Sequence, residues 1–259
     1  MKAEARPLAG VSLKELLPWW AGLCLVAALA WVVTITWAGP MGAGSGTMGL
    51  SLTAFLPVWL VMMAAMMFPS VAPMATIWIR SVAARSTMQQ RVAGVTSFLG
   101  GYLLAWVGFG LAVYALLLGA DRLAEGAPNA SPWVGGAIFA IAGVYQLTPL
   151  KRACLRHCRT PVGSLFHYAS YKGLARDLRA GMHHGLYCVG CCWGLMIVLV
   201  AVGAMNLPAM VSLAGVILIE KVWRYGRTFS RLVGVSLLVV AALAPFMPPL
   251  LPGLHPTAM

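Results

Sequence analysis

A chain of 259 residues that is 61% hydrophobic and only 9% charged is too apolar for a water-soluble domain, in which charged residues make up about a quarter. Its net charge of +12 does not point to nucleic acid, because the lysines and arginines fall in short connections between apolar runs, the pattern of cytoplasmic loops in membrane proteins. The composition implies an all-α, polytopic transmembrane helix bundle, one integral membrane domain over residues 1–259.

Taken at about 20 residues per crossing, the chain divides into seven spans near 19–38, 53–79, 95–118, 133–150, 184–204, 206–221 and 231–250. No small-residue cleavage site follows the first run, so it is read as a retained span and not a signal peptide. Arg80, Arg85 and Arg91 follow the second span, seven Lys or Arg residues occupy 151–183, and Lys221, Arg224, Arg227 and Arg231 precede the last. With the N-terminus, these fall on one side, which predicts N-terminus in, C-terminus out, in a bacterial inner membrane.

The second span carries Pro69 and Pro73, which remove backbone donors and predict a kink or break. Met62, Met63, Met66, Met67 and Met74 line the same segment. Methionine is an adaptable core filler, but its thioether is also a soft ligand that selects Cu(I). Glycines punctuate the third and fourth spans and allow close helix approach, and Gln146 is expected to hydrogen-bond between helices. Between 162 and 182, Leu165, Phe166, Leu174, Leu178 and Met182 alternate with Lys172, Arg176 and Arg179, which predicts a cytoplasmic interfacial amphipathic helix held by anionic headgroups. Glu220, with Lys221 and Arg224 beside it, is expected to be ion-paired.

The fifth span opens with Cys188-Val189-Gly190-Cys191-Cys192. At 100° per residue, the three thiols share a helix face about 100° wide. Cys154 and Cys158 stand four residues apart upstream, and His184 stands four before Cys188. Five of the six cysteines in so short a window point to ligation or thiolate chemistry, whereas the lone Cys24 reads as a small buried hydrophobe. The candidate metal ligands are Cys154, Cys158, Cys188, Cys191, Cys192, His184, Met66, Met67 and Met74. No phosphate-binding G-x-x-x-x-G-K-[ST], zincin H-E-x-x-H or hydrolase G-x-S-x-G is present, and too few carboxylates remain for a magnesium or calcium site.

Three motifs occur in order: Met62-Met63-Ala64-Ala65-Met66-Met67-Phe68-Pro69-Ser70; Tyr145-Gln146 through Pro149, Lys151, Cys154 and Cys158; and His184-Gly185 through Cys188, Gly190, Cys191, Cys192 and Trp193. From about residue 50 to 225 the chain resembles a bacterial family of uncharacterised integral membrane proteins described as predicted metal-binding. The resemblance implies metal binding at these ligands. The expected function is binding and transfer of a soft or borderline metal ion, copper first and zinc second, across or along the membrane. The expected partners are lipid with anionic headgroups and a metallochaperone or a membrane-complex subunit. Two alternatives remain: a membrane thiol-disulfide oxidoreductase, since Cys188 to Cys191 is a C-x-x-C, and a non-catalytic subunit of a membrane complex stabilised by metal.

Overall fold

A computed structural model describes residues 13–41, 47, 49–83, 87–160, 168, 171, 175–247 and 251–254. The helices are α1 (Leu13–Met41), α2 (Leu52–Ala83), α3 (Met88–Gly126), α4 (Ser131–Leu147), α5 (Pro149–Arg159), α6 (Arg176–Val202), α7 (Leu207–Val222) and α8 (Gly226–Leu243), with single 3-10 turns at Pro128–Ala130, Ala244–Phe246 and Pro252–Leu254. Among the described residues no strand occurs. Five helices, α1, α2, α3, α6 and α8, are long and apolar enough to cross a membrane, and α4 with α5 makes a sixth if that pair, bent by 64°, is one broken span. The expected count of seven therefore rests on α4–α5 and on α7, a helix of 16 residues.

Helix α6 is the centre. Its apolar window is 67% buried, against 17% for α1 and α8. It packs along α3 and is flanked by α4, α5, α7 and the turn at Pro252–Leu254, while α1 leans on α2 and α8 on α4. The α3–α6 contact is close because glycine lies at each crossing point. A Cβ at Gly101 would run into the Leu178 carbonyl oxygen, one at Gly181 into that of Phe98, and one at Gly185 would stand 2.8 Å from that of Tyr102. In a membrane, where no hydrophobic force pushes helices together, such backbone approach and its dispersion contacts are a main source of association.

Several element boundaries differ from the sequence reading. Helix α3 has 39 residues, about 58 Å at 1.5 Å per residue. Arg91, Asp121, Arg122 and Glu125, all outside the span expected near 95–118, lie on its two ends. Its N-terminus is capped by Thr87, whose hydroxyl accepts from Gln90 N at 3.3 Å, and Asp121 accepts from Thr47 N at 3.1 Å. Helix α2 is continuous through Pro69 and Pro73, so of the expected kink or break, the break does not occur. Ser70 and Thr76 donate their hydroxyls to the carbonyls of Met67 and Ala72, each at 2.8 Å. The interfacial helix expected over 162–182 lies largely outside the described residues, but 176–182 are continuous with α6 and not a separate element. Between the spans expected at 184–204 and 206–221, Gly203 at φ +94° ends α6 and Asn206 caps α7 by accepting from Ala209 N at 3.1 Å. The last span, expected to reach 250, ends as an α-helix at Leu243, and Leu251 and Leu254 return to the core.

Candidate metal centre

The three cysteines of α6 turn inward together, as their spacing predicts. The sulfurs of Cys188, Cys191 and Cys192 all lie within 4.8 Å of one another, and each residue is no more than 1% exposed. The thiols of Cys191 and Cys192 donate back to the Cys188 carbonyl at 3.2 and 2.8 Å. Such bonds are local and weak, so they hold the sulfurs on one face without binding them to a distant partner.

Helix α5 brings the second pair. Thr148 caps it through Lys151 N at 3.1 Å, and Pro149 follows in the first turn, where a missing N–H costs nothing. The 64° bend at Thr148 lays α5 against α6. Cys158 Sγ then stands 3.9 Å from Cys191 Sγ. Cys154, one turn earlier, faces Gly190, where an added Cβ would stand 3.0 Å from its sulfur. Glycine at 190 thus leaves the space that Cys154 fills. Five cysteines gather from two helices, and Cys24, expected to be buried, is exposed on α1.

The charged groups around the sulfurs were not anticipated. Lys221 of α7, 8% exposed, donates to Cys188 Sγ at 3.0 Å and to Ser70 Oγ at 3.1 Å. The Tyr102 hydroxyl of α3 meets the same sulfur at 3.0 Å. Cys188 is thus the junction of α2, α3, α6 and α7. Beside it, Lys151 pairs with Glu220 at 2.7 Å, both side chains 1% exposed, and also donates to the Cys191 carbonyl. Gln146 donates to the other Glu220 oxygen at 2.7 Å, and Tyr145 donates to the Gly190 carbonyl. Glu220 is ion-paired as expected, but with Lys151 and not with its sequence neighbours Lys221 or Arg224. Adjacent helical residues do not face one another. The one available signal was that Lys151, Glu220 and Lys221 abut apolar spans, where an ionisable residue is costly unless buried with a partner.

His184 is buried between the rings of Phe98 and Tyr102, with centroids at 6.2 and 6.3 Å, and its Nδ1 has no hydrogen-bond partner. Among the described residues the one group of three donors close enough to share an ion is the cysteine trio, which does not include His184. Met66, Met67 and Met74 are all buried in the core that holds the cysteines, each within about one helical turn of Ser70, through which α2 reaches Lys221. The thiols and thioethers are soft donors, and no carboxylate oxygen joins them. That set suits Cu(I) or zinc and not magnesium or calcium.

Searches against curated proteins and against solved structures find no match. A family model described as copper chaperone does match, over residues 56–244, a stretch that begins in α2, ends at the close of α8 and contains all five clustered cysteines. The chain belongs to this family, the PpoB2 copper chaperones.

Proposed function

We propose that the protein is a bacterial inner-membrane Cu(I)-binding protein that takes the ion onto Cys188, Cys191 and Cys192 and passes it on by thiolate exchange with Cys158 and Cys154. The observation that carries this reading is a trio of buried sulfurs within 4.8 Å of one another, with a fourth, on a separate helix, 3.9 Å from Cys191. In this reading α4–α5 and α7 complete seven crossings, with the N-terminus and the basic connections in the cytoplasm.

A transfer protein needs more donors than its cargo can use at once. Cu(I) is satisfied by two or three soft ligands, so a surplus thiolate can bond to the ion as another leaves, with no change in oxidation state. Each cysteine must lose its proton to ligate, so loading releases protons. A fourth sulfur at Cys158 would equally close a tetrahedral zinc site, which holds its ion too firmly for rapid exchange. Family membership favours copper. Met66, Met67 and Met74 extend the soft surface along α2 and are assigned to the path by which Cu(I) reaches or leaves the thiols. His184 supports the cluster through packing and is the weakest ligand candidate of the set.

The test is an anaerobic titration of the purified full-length protein with Cu(I) against a colorimetric Cu(I) chelator. The wild type should withdraw one ion and develop sulfur-to-copper absorption. Cys191→Ser, which removes the sulfur shared by the two cysteine groups, should bind Cu(I) more weakly, and Cys24→Ser should match the wild type. Wild-type Cu(I) affinity in Cys191→Ser, or displacement of Cu(I) by equimolar zinc, would overturn the assignment.

A further inference from the structure

Helix α5 has a second face. Cys154 and Cys158 turn toward α6, while Arg152 and Arg156, also four residues apart, are exposed on the other side. Opposite them, α8 begins with Arg227 and Arg231, again four apart and exposed. These four arginines, with Pro149 and Ala153, line one cavity of about 310 Å³. Among the described residues no carboxylate lines it.

Four like charges around one cavity repel one another, and a bound anion would relieve that repulsion. A second feature acts in the same direction. Arg152, Arg227 and Arg231 lie in the first two turns of their helices, where the helix dipole is positive and where neither helix has an acidic residue in its first turn, while Arg156 lies in the last turn of α5. Tyr225, which precedes α8, makes no capping side-chain hydrogen bond. An anion between the two helix starts would relieve the repulsion and complement both dipoles.

The surroundings identify the kind of anion. Trp223 and Tyr225, 49% and 52% exposed, lie just before the start of α8, the placing of aromatic residues at a membrane–water interface. Directly beyond Arg231, Leu232, Val235 and Val239 present an exposed apolar stripe along α8. A charged cavity at headgroup depth followed by an apolar stripe matches a phospholipid: phosphate in the arginines, acyl chain along the helix. Guanidinium forks match phosphate oxygens two by two, which explains arginine here and not lysine.

We propose that the cavity between α5 and α8 is a binding site for the phosphate of an anionic phospholipid. The bound lipid braces the outer face of the helix whose inner face carries Cys154 and Cys158. The proposal does not depend on the identity of the metal.

Native mass spectrometry of the full-length protein, released from bilayers containing equal phosphatidylglycerol and phosphatidylcholine, tests it. The wild type should retain phosphatidylglycerol preferentially. Each basic residue near an anionic surface is worth about one kcal/mol, so Arg156→Gln with Arg227→Gln should weaken phosphatidylglycerol binding about 30-fold. Arg152→Gln with Arg231→Gln should do the same, and Arg122→Gln with Arg179→Gln, which removes two exposed charges elsewhere, should not. Circular dichroism of each variant should show unchanged helix content. No preference in the wild type, or equal loss in the control pair, would reduce the cavity to part of a generally basic face and overturn the proposal. Displacement of the retained lipid by inorganic phosphate would assign the site to a soluble anion, and would also overturn it.

Discussion

Replacing Lys221 by methionine tests whether the ammonium beside Cys188 belongs to the metal site or merely ties α7 to α2. In the proposed site, two thiolates on one Cu(I) would carry one net negative charge inside a low-dielectric bundle, and Lys221, 3.0 Å from Cys188 Sγ, would offset it. At an effective dielectric of about 20 the bare attraction at that distance is about 5 kcal/mol. Desolvation of both partners removes much of this, which leaves the about 1.5–3 kcal/mol of a charge-assisted hydrogen bond. Because loading places negative charge on the sulfurs as their protons leave, the ammonium favours the loaded state over the empty one. Lys221→Met, which keeps the length of the stem, should therefore weaken Cu(I) about 10- to 150-fold in the chelator competition. Ser70→Ala keeps the ammonium and removes only its second acceptor, so it should lose less. Wild-type affinity in Lys221→Met would refute the charge argument and reduce Lys221 to an interhelical hydrogen bond.

The neighbouring ion pair predicts a different outcome. Lys151→Met leaves Glu220 buried with Gln146 alone and should lower thermal stability in detergent by about 3–5 kcal/mol, while Lys151→Met with Glu220→Leu should recover most of it; a double variant no more stable than the single would contradict this. At the α3–α6 crossing, Gly101→Ala drives a methyl into the Leu178 carbonyl and should reduce both stability and copper retention, whereas Gly100→Ala, one residue away and facing open space, should leave both unchanged. Equal behaviour of the two alanine variants would remove the close backbone approach as the reason for glycine.

The cysteine trio was legible because a helical repeat fixes which side chains share a face, and nothing in the bundle disturbs that repeat between Cys188 and Cys192. The proximity of α5 was legible only as an expectation, since it depends on the bend after Leu147, and a sequence does not give the angle at which a capped helix departs from its predecessor. Lys151 and Lys221 were read as loop charges because they follow apolar runs, yet both stems turn back into the bundle, where Glu220 and Cys188 receive them. A partner 69 residues away, as Glu220 is from Lys151, leaves no local trace. The prolines of α2 do not end the helix: a membrane helix tolerates a missing donor when its neighbours enclose the freed carbonyl, and the residues on both sides of Pro69 are buried.

Burial and exchange would make opposite demands on the proposed transfer site, and the arrangement of the two cysteine groups suits both. Cys188, Cys191 and Cys192 lie on the most enclosed helix of the bundle, where water cannot compete for a soft ion and where oxidants have little access. A site made of these three alone would be closed. Cys154 and Cys158 are half-buried on a short helix that hangs from a bend, so in the proposed reading they are the sulfurs that a second protein's thiol can approach. The buried Lys151–Glu220 pair then has a specific consequence. Lys151 holds the first turn of α5 and donates to the carbonyl of Cys191, and Arg159 ties the last turn to the carbonyls of Glu220 and Arg224, so both ends of α5 keep the outer sulfurs in register with the inner ones.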